Sequence, residues 1–105
     1  MHRGVLMQLG AAYKQLNAPF GAFGMSTLAA TTGAMQTGTA ADDAAYAAFD
    51  QHLAALTAQR DALAAQIRDA LSAAASGSQT IDVHQAQAWI AQANGLIGDA
   101  ASLGS

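Results

Sequence analysis

Three histidines, seven aspartates, four basic side chains and no cysteine make up the chemically versatile residues of this 105-residue sequence. His2, His52 and His84 lie far apart. A helical zinc site wants H-x-x-x-H or a carboxylate-rich helical pair, and neither accompanies any of the three. His52 adjoins Leu53 and stands two residues from Asp50, the setting of a solvated or half-buried helix histidine. Asp50, Asp61 and Asp69 fall beside Arg60 and Arg68 as a solvated helix face rather than as paired acids. No Gly-x-Ser-x-Gly elbow surrounds Ser26 or Ser72, and no cysteine is present to act as nucleophile. The pairs Gly21/Gly24 and Gly95/Gly98 lack the Lys-Ser/Thr of a phosphate loop and the flanking bases of a nucleic-acid clamp. No catalytic, metal-binding or cofactor-binding residue is assigned, no cofactor is implied, and the chain is expected not to be an enzyme by itself.

One charged residue has an unusual place. Arg60 stands seven residues from both Leu53 and Ile67, which puts a guanidinium on an apolar helical seam. Such a side chain either snorkels to the edge of the seam or meets an acidic group on another body, because an unpaired buried charge is costly.

That seam belongs to the stretch from Asp42 to Ala75. Tyr46, Phe49, Leu53, Leu56, Leu63, Ile67 and Leu71 recur at steps of three, four and seven, which wind into one stripe along an α-helix. Alanine fills most of the remaining positions and Gly and Pro are absent, so propensity and pattern agree. Thr39 or Asp42 can cap the N-terminus, and Ser76-Gly77-Ser78 closes the other end. A last helix follows, with Asp82 as N-cap, Gln85 completing a capping box and Ile81 at the staple position. Val83, Ala86, Ile90, Ala93 and Ile97 carry its stripe, with Trp89, Leu96 and Leu103 beside it. The short connection makes the two helices antiparallel neighbours.

Upstream, Val5, Leu6, Leu9, Ala12, Tyr13 and Leu16 predict a helix over roughly residues 3 to 16, stopped at Pro19. A shorter helix is expected from about Thr27 to Gln36, capped near Ser26, with Leu28 and Met35 facing inward and Gly38 at its C′ position. Phe20 and Phe23 are expected to plug the end of the core. The predicted fold is all-α and bundle-like: a helical hairpin from residue 39 to 105, with two shorter helices from residues 1 to 38 packed on it, in one module.

Composition narrows the partners. Half of the sequence is apolar, but much of that is alanine, which buries little area, so the core will be thin. The net charge is −3, and the only bases are Arg3, Lys14, Arg60 and Arg68, which disfavours phosphate backbones and anionic membranes. His2-Arg3 ahead of Val5 to Leu9 is too short and interrupted for a signal peptide. The uncharged stretch from Gln15 to Ala41 holds too many Gly, Thr, Ser, Asn and Pro residues for a membrane span.

The segments HRGVLMQLGAAYKQLNAPFGAFG, TAQRDALAAQIRDALSAAA and IDVHQAQAWIAQANGLIG together resemble the C-terminal helical region of secreted bacterial phosphoesterases of the alkaline-phosphatase family. The resemblance spans nearly the whole sequence and implies a non-catalytic helical part that buttresses a metal-dependent hydrolase. The family's nucleophile and metal ligands map onto no position here. It also implies a secreted protein; without it the chain is expected in the cytoplasm. The alternative is a free-standing helical interaction module that pairs with itself or clasps a protein partner. Its candidate seam is Tyr46, Phe49, Leu53, Leu56, Arg60, Leu63, Ile67, Trp89, Ile90 and Ile97. A small-molecule site near Trp89, Tyr46 and Phe49 is a third expectation.

Overall fold

Four α-helices account for nearly all of residues 3–38 and 42–103, the parts of the chain that the computed structural model describes: α1 (Arg3–Asn17), α2 (Ala22–Gln36), α3 (Asp43–Ala75) and α4 (Val83–Ser102). His2, one of the three histidines weighed above, and Thr39, a candidate cap, lie outside the described residues. The fold is all-α and bundle-like.

The long helix starts at Asp42, whose carboxylate accepts from the backbone N–H groups of Ala44 and Ala45 at 3.1 and 3.2 Å. Two of the four orphan donors at this helix end are thereby satisfied. It ends in a Schellman turn. Gly77 adopts φ +77°, Ser78 N–H reaches the Ala73 carbonyl and Gly77 N–H the Ala74 carbonyl, a left-handed step that favours glycine. Asp82 then caps α4 by accepting from Gln85 N–H at 3.1 Å, and Ile81 packs against the core at the staple position.

α3 and α4 form an antiparallel hairpin, legible in the pairs that share a groove. Ala70 faces Gln85 and Trp89, Leu63 faces Leu96, and Leu56 faces Leu103, so numbers rise on one helix as they fall on the other. Trp89 Nε1 donates to Gln66 Oε1 across the pair at 3.2 Å, satisfying the indole where its ring packs on the core. Small residues allow the close approach. Ala86, Ala93 and Ala100 are fully buried on α4, and Ala64 is buried on α3.

α1 and α2 follow one another along this hairpin. α1 packs against both α3 and α4, and its Leu9, Ala12 and Leu16 share the core with Leu63, Ile67, Ala93 and Leu96. α2 continues toward the N-terminal half of α3: Phe23 lies under Arg60, while Thr27, Leu28 and Thr31 border a groove with Leu53 and Thr57. It leans on α4 and α1 rather than on α3. The result is 52 Å long and about 20 Å thick, close to the 50 Å that 33 helical residues span.

The second helix departs from expectation. It begins at Ala22, five residues before Thr27, and its N-cap is Gly21 with no side-chain cap of its own, not Ser26. The cap comes from the preceding helix, where Gln15 Oε1 accepts from Ala22 N–H at 2.7 Å. Two glycines make so tight a turn fit. A Cβ on Gly21 would stand 2.5 Å from the Lys14 carbonyl oxygen, and one on Gly24 would stand 2.6 Å from that of Pro19. Leu28 and Met35 do not face inward; they are 58% and 66% exposed, because the earlier start sets which face meets α4. That inner face is Phe23 and Ala30. The two phenylalanines also part company: Phe23 plugs the core at 2% exposure, whereas Phe20 in the turn is 87% exposed. Gly38 does take the C′ position, with φ +80° after the Thr37 cap.

Candidate interaction seam

The apolar stripe of α3 meets three environments along its length. Its C-terminal part is covered by the chain itself. Leu63 and Ile67 are core residues, and Leu71 packs beside them. Trp89, Ile90 and Ile97 of α4 are partly buried against the same core. These side chains spend their apolar area on the chain's own helices, whose hydrophobic burial is what holds α1 to the hairpin.

Arg60 marks the middle. Its Nη1 donates to the Leu16 carbonyl at 3.0 Å, its Nε to Asp61 Oδ1 at 2.7 Å, and its guanidinium lies 5.3 Å from the centroid of the Phe23 ring. Leu16 belongs to the last turn of α1, where carbonyls lack intrahelical partners and a cation offsets the negative end of the dipole. A single planar group thus ties the end of α1 and the start of α2 to the middle of α3. The side chain is 22% exposed. It neither snorkels free nor waits for an acid on another body, because an internal carbonyl and an aromatic face supply its partners.

Beyond Arg60 the seam opens. Leu56 and Leu53 are half-buried, Phe49 is half-buried, and Tyr46 is 42% exposed. The Tyr46 and Phe49 rings stack on each other at 6.5 Å, tilted by 31°. Between this part of α3 and α2 runs a shallow groove of about 430 Å³, lined by Gly24, Thr27, Leu28 and Thr31 of α2 and by Leu53 and Thr57 of α3. The α2 threonine hydroxyls are turned to their own backbone: Thr27 donates to the Gly24 carbonyl and Thr31 to the Thr27 carbonyl.

α2 adds an apolar stripe that the α3 pattern did not include. Met25, Leu28 and Met35 are all exposed and fall on one face at steps of three and seven. The signal was present in the sequence: α2 has no charged residue, and an apolar helix without a polar face is normally buried all round. Here two residues of it are buried.

No small-molecule site unites Trp89 with Tyr46 and Phe49. Trp89 bonds Gln66, which stands seventeen residues along α3 from Phe49, about 25 Å at 1.5 Å per residue. Other shallow grooves run along α3 and α4, one of about 310 Å³ beside Trp89, bordered by Ala70, Ile81 and Gln85. A second of about 380 Å³ is bordered by Gln59, Gln66, Gln92 and Gly95, and a third of about 290 Å³ by His52, Leu56, Asp99 and Leu103. Asp61 and Asp69 form exposed ion pairs with Arg60 and Arg68, as the solvated face requires. Among the described residues no three His, Cys, Asp or Glu side chains come together as metal ligands, and no helix is long and apolar enough to cross a membrane. No protein-family model, curated protein or solved structure matches this chain.

Proposed function

We propose that this chain is a non-catalytic helical interaction module whose open end, built from α2 and the first half of α3, docks on a protein partner or a second copy. One observation carries the reading: Met25, Leu28 and Met35 of α2 and Tyr46 of α3 are exposed, with Phe49 and Leu53 half-buried, while the C-terminal part of the α3 stripe is covered internally. Large apolar side chains left uncovered on neighbouring helices mark contact sites on proteins in water. The resemblance to the C-terminal region of secreted phosphoesterases gives the same module a setting in cis, with the hydrolase domain of the longer protein as the surface it meets. An in-frame hydrolase domain encoded upstream of Met1 supports that setting; its absence removes it.

Light scattering with thermal melting, from micromolar to millimolar concentration, tests self-docking. Binding only to the native state stabilises it by mass action, so self-association raises the melting midpoint with concentration. A monomeric mass with a constant midpoint, together with no binding of any apolar helical peptide, overturns the proposal.

A further inference from the structure

Charge around the open groove selects its occupant. Between Lys14 and Arg60 the sequence carries Asp42, Asp43 and Asp50 and not one Lys or Arg. At 100° per residue, Asp50 and Asp43 fall about 40° and 60° to one side of Tyr46, while Asp42 stands at the head of the helix as its extended N-cap. Thr57, which borders the groove, points about 20° from Tyr46 by the same count. Asp43 and Asp50 therefore rim one edge of the apolar surface of α3. All three aspartates are exposed, and the arginines of α3 bond their own neighbours Asp61 and Asp69 instead.

Resting on the interaction reading above, we propose that the groove between α2 and α3 receives an amphipathic helix of a protein partner, with Lys or Arg flanking its apolar stripe. A groove bordered by Leu28 and Leu53 accepts such helices through anchors at i, i+3, i+4 and i+7, and Met25 and Met35, exposed elsewhere on α2, add adaptable apolar surface. The flanking bases meet the aspartate rim, which steers approach and sets orientation. A second copy is the poorer occupant. In a two-fold pair the same patch faces itself, so each acidic rim meets the other with no base to offset it. An anionic lipid surface is repelled for the same reason.

The test uses the full chain and three labelled model peptides of about 18 residues, roughly five helical turns. One has a leucine stripe flanked by lysines, one the same stripe flanked by glutamates, and one the lysine composition scrambled so that no stripe forms. The lysine-flanked helix should bind about tenfold or more tightly than either of the others, with the gap closing as salt rises. Leu28→Gln should weaken its binding severalfold. Asp43→Asn with Asp50→Asn should bring the lysine- and glutamate-flanked helices to within about threefold of each other. These three positions are exposed, and circular dichroism checks that the variants remain folded.

Equal binding of the two striped peptides overturns the basic partner and leaves the apolar docking surface standing. Equal binding of the striped and scrambled lysine peptides reduces the effect to bulk charge and overturns the groove as the site. Failure of all three peptides with a concentration-dependent dimer assigns the face to a second copy. Failure of all three with a monomer throughout overturns both this inference and the interaction reading on which it rests.

Discussion

Arg60 explains more of this molecule than any other side chain. It supplies a donor to a carbonyl at the end of α1, covers the face of Phe23 and remains paired with Asp61, so three segments depend on one guanidinium. Arg60→Ala should cost about 1–3 kcal/mol, the range for a hydrogen bond to a charged group together with an aromatic contact. Asp61→Ala should cost less than about 0.5 kcal/mol, since that carboxylate is mostly exposed and its ion pair is screened. Urea unfolding of the two variants separates these outcomes, and equal losses would show that the ion pair, not the carbonyl and ring, does the fastening. Gly21 is a second position where one atom decides. Its φ of −73° suits any residue, so the constraint is space: a Cβ would press on two carbonyl oxygens of α1. Gly21→Ala should destabilise by about 1–3 kcal/mol, the usual cost of overpacking against backbone.

At the scale of the element, the glycines of α4 behave in the opposite way. Gly95 and Gly98 are exposed within a helix, and a Cβ at either meets nothing within 4 Å. Replacing each by alanine should stabilise the protein by about 0.5–1 kcal/mol, because alanine has less chain entropy to lose and the higher helix propensity. Thermal melts of the single and double variants check this; a loss of stability would place another body against that face. Burial grades the stripe of α3 in the same manner. Ile67→Ala removes a fully buried side chain and should cost about 2–5 kcal/mol. Leu56 is partly open, so Leu56→Ala should cost clearly less than that. Asp42→Ala leaves two backbone donors of α3 without their carboxylate and should cost about 0.5–2 kcal/mol.

Taken whole, the molecule is a rod with a thin core. Its three largest fully buried side chains are Leu9, Leu16 and Ile67, and much of the remaining buried surface is alanine. All three serve the half of the rod where α1 lies on the hairpin. The other half carries the exposed Met25, Leu28, Met35 and Tyr46, with α2 leaning away from α3, while Met7 is exposed on the outer face of α1. Stability should therefore be uneven. Amide exchange should be slowest around Leu63 to Ile67 and Ala86 to Leu96, and fastest at the start of α3 and in the outer turns of α2. A ligand seated in the groove should slow exchange chiefly in those weaker parts. Uniform protection along α3 would contradict this division of the rod.

Much of this fold was legible in the one-dimensional pattern, and for local reasons. A stripe at helical spacing, alanine between its members, Asp42 and Asp82 as caps and Gly77 at the end specify α3 and α4 through contacts within a few residues of each other. The range of α1 followed from the same periodicity and from Pro19. What the pattern left open was decided by contacts between distant residues. Gln15 starts α2 from outside it, Gly21 and Gly24 admit a turn tight enough for that start, and the resulting phase turns Leu28 and Met35 to the surface. Arg60 found its partners at Leu16 and Phe23, a separation at which spacing rules are silent. Helix periodicity says which side chains share a face; only packing against other helices says which of those faces is covered, because burial is a property of the partner as much as of the stripe.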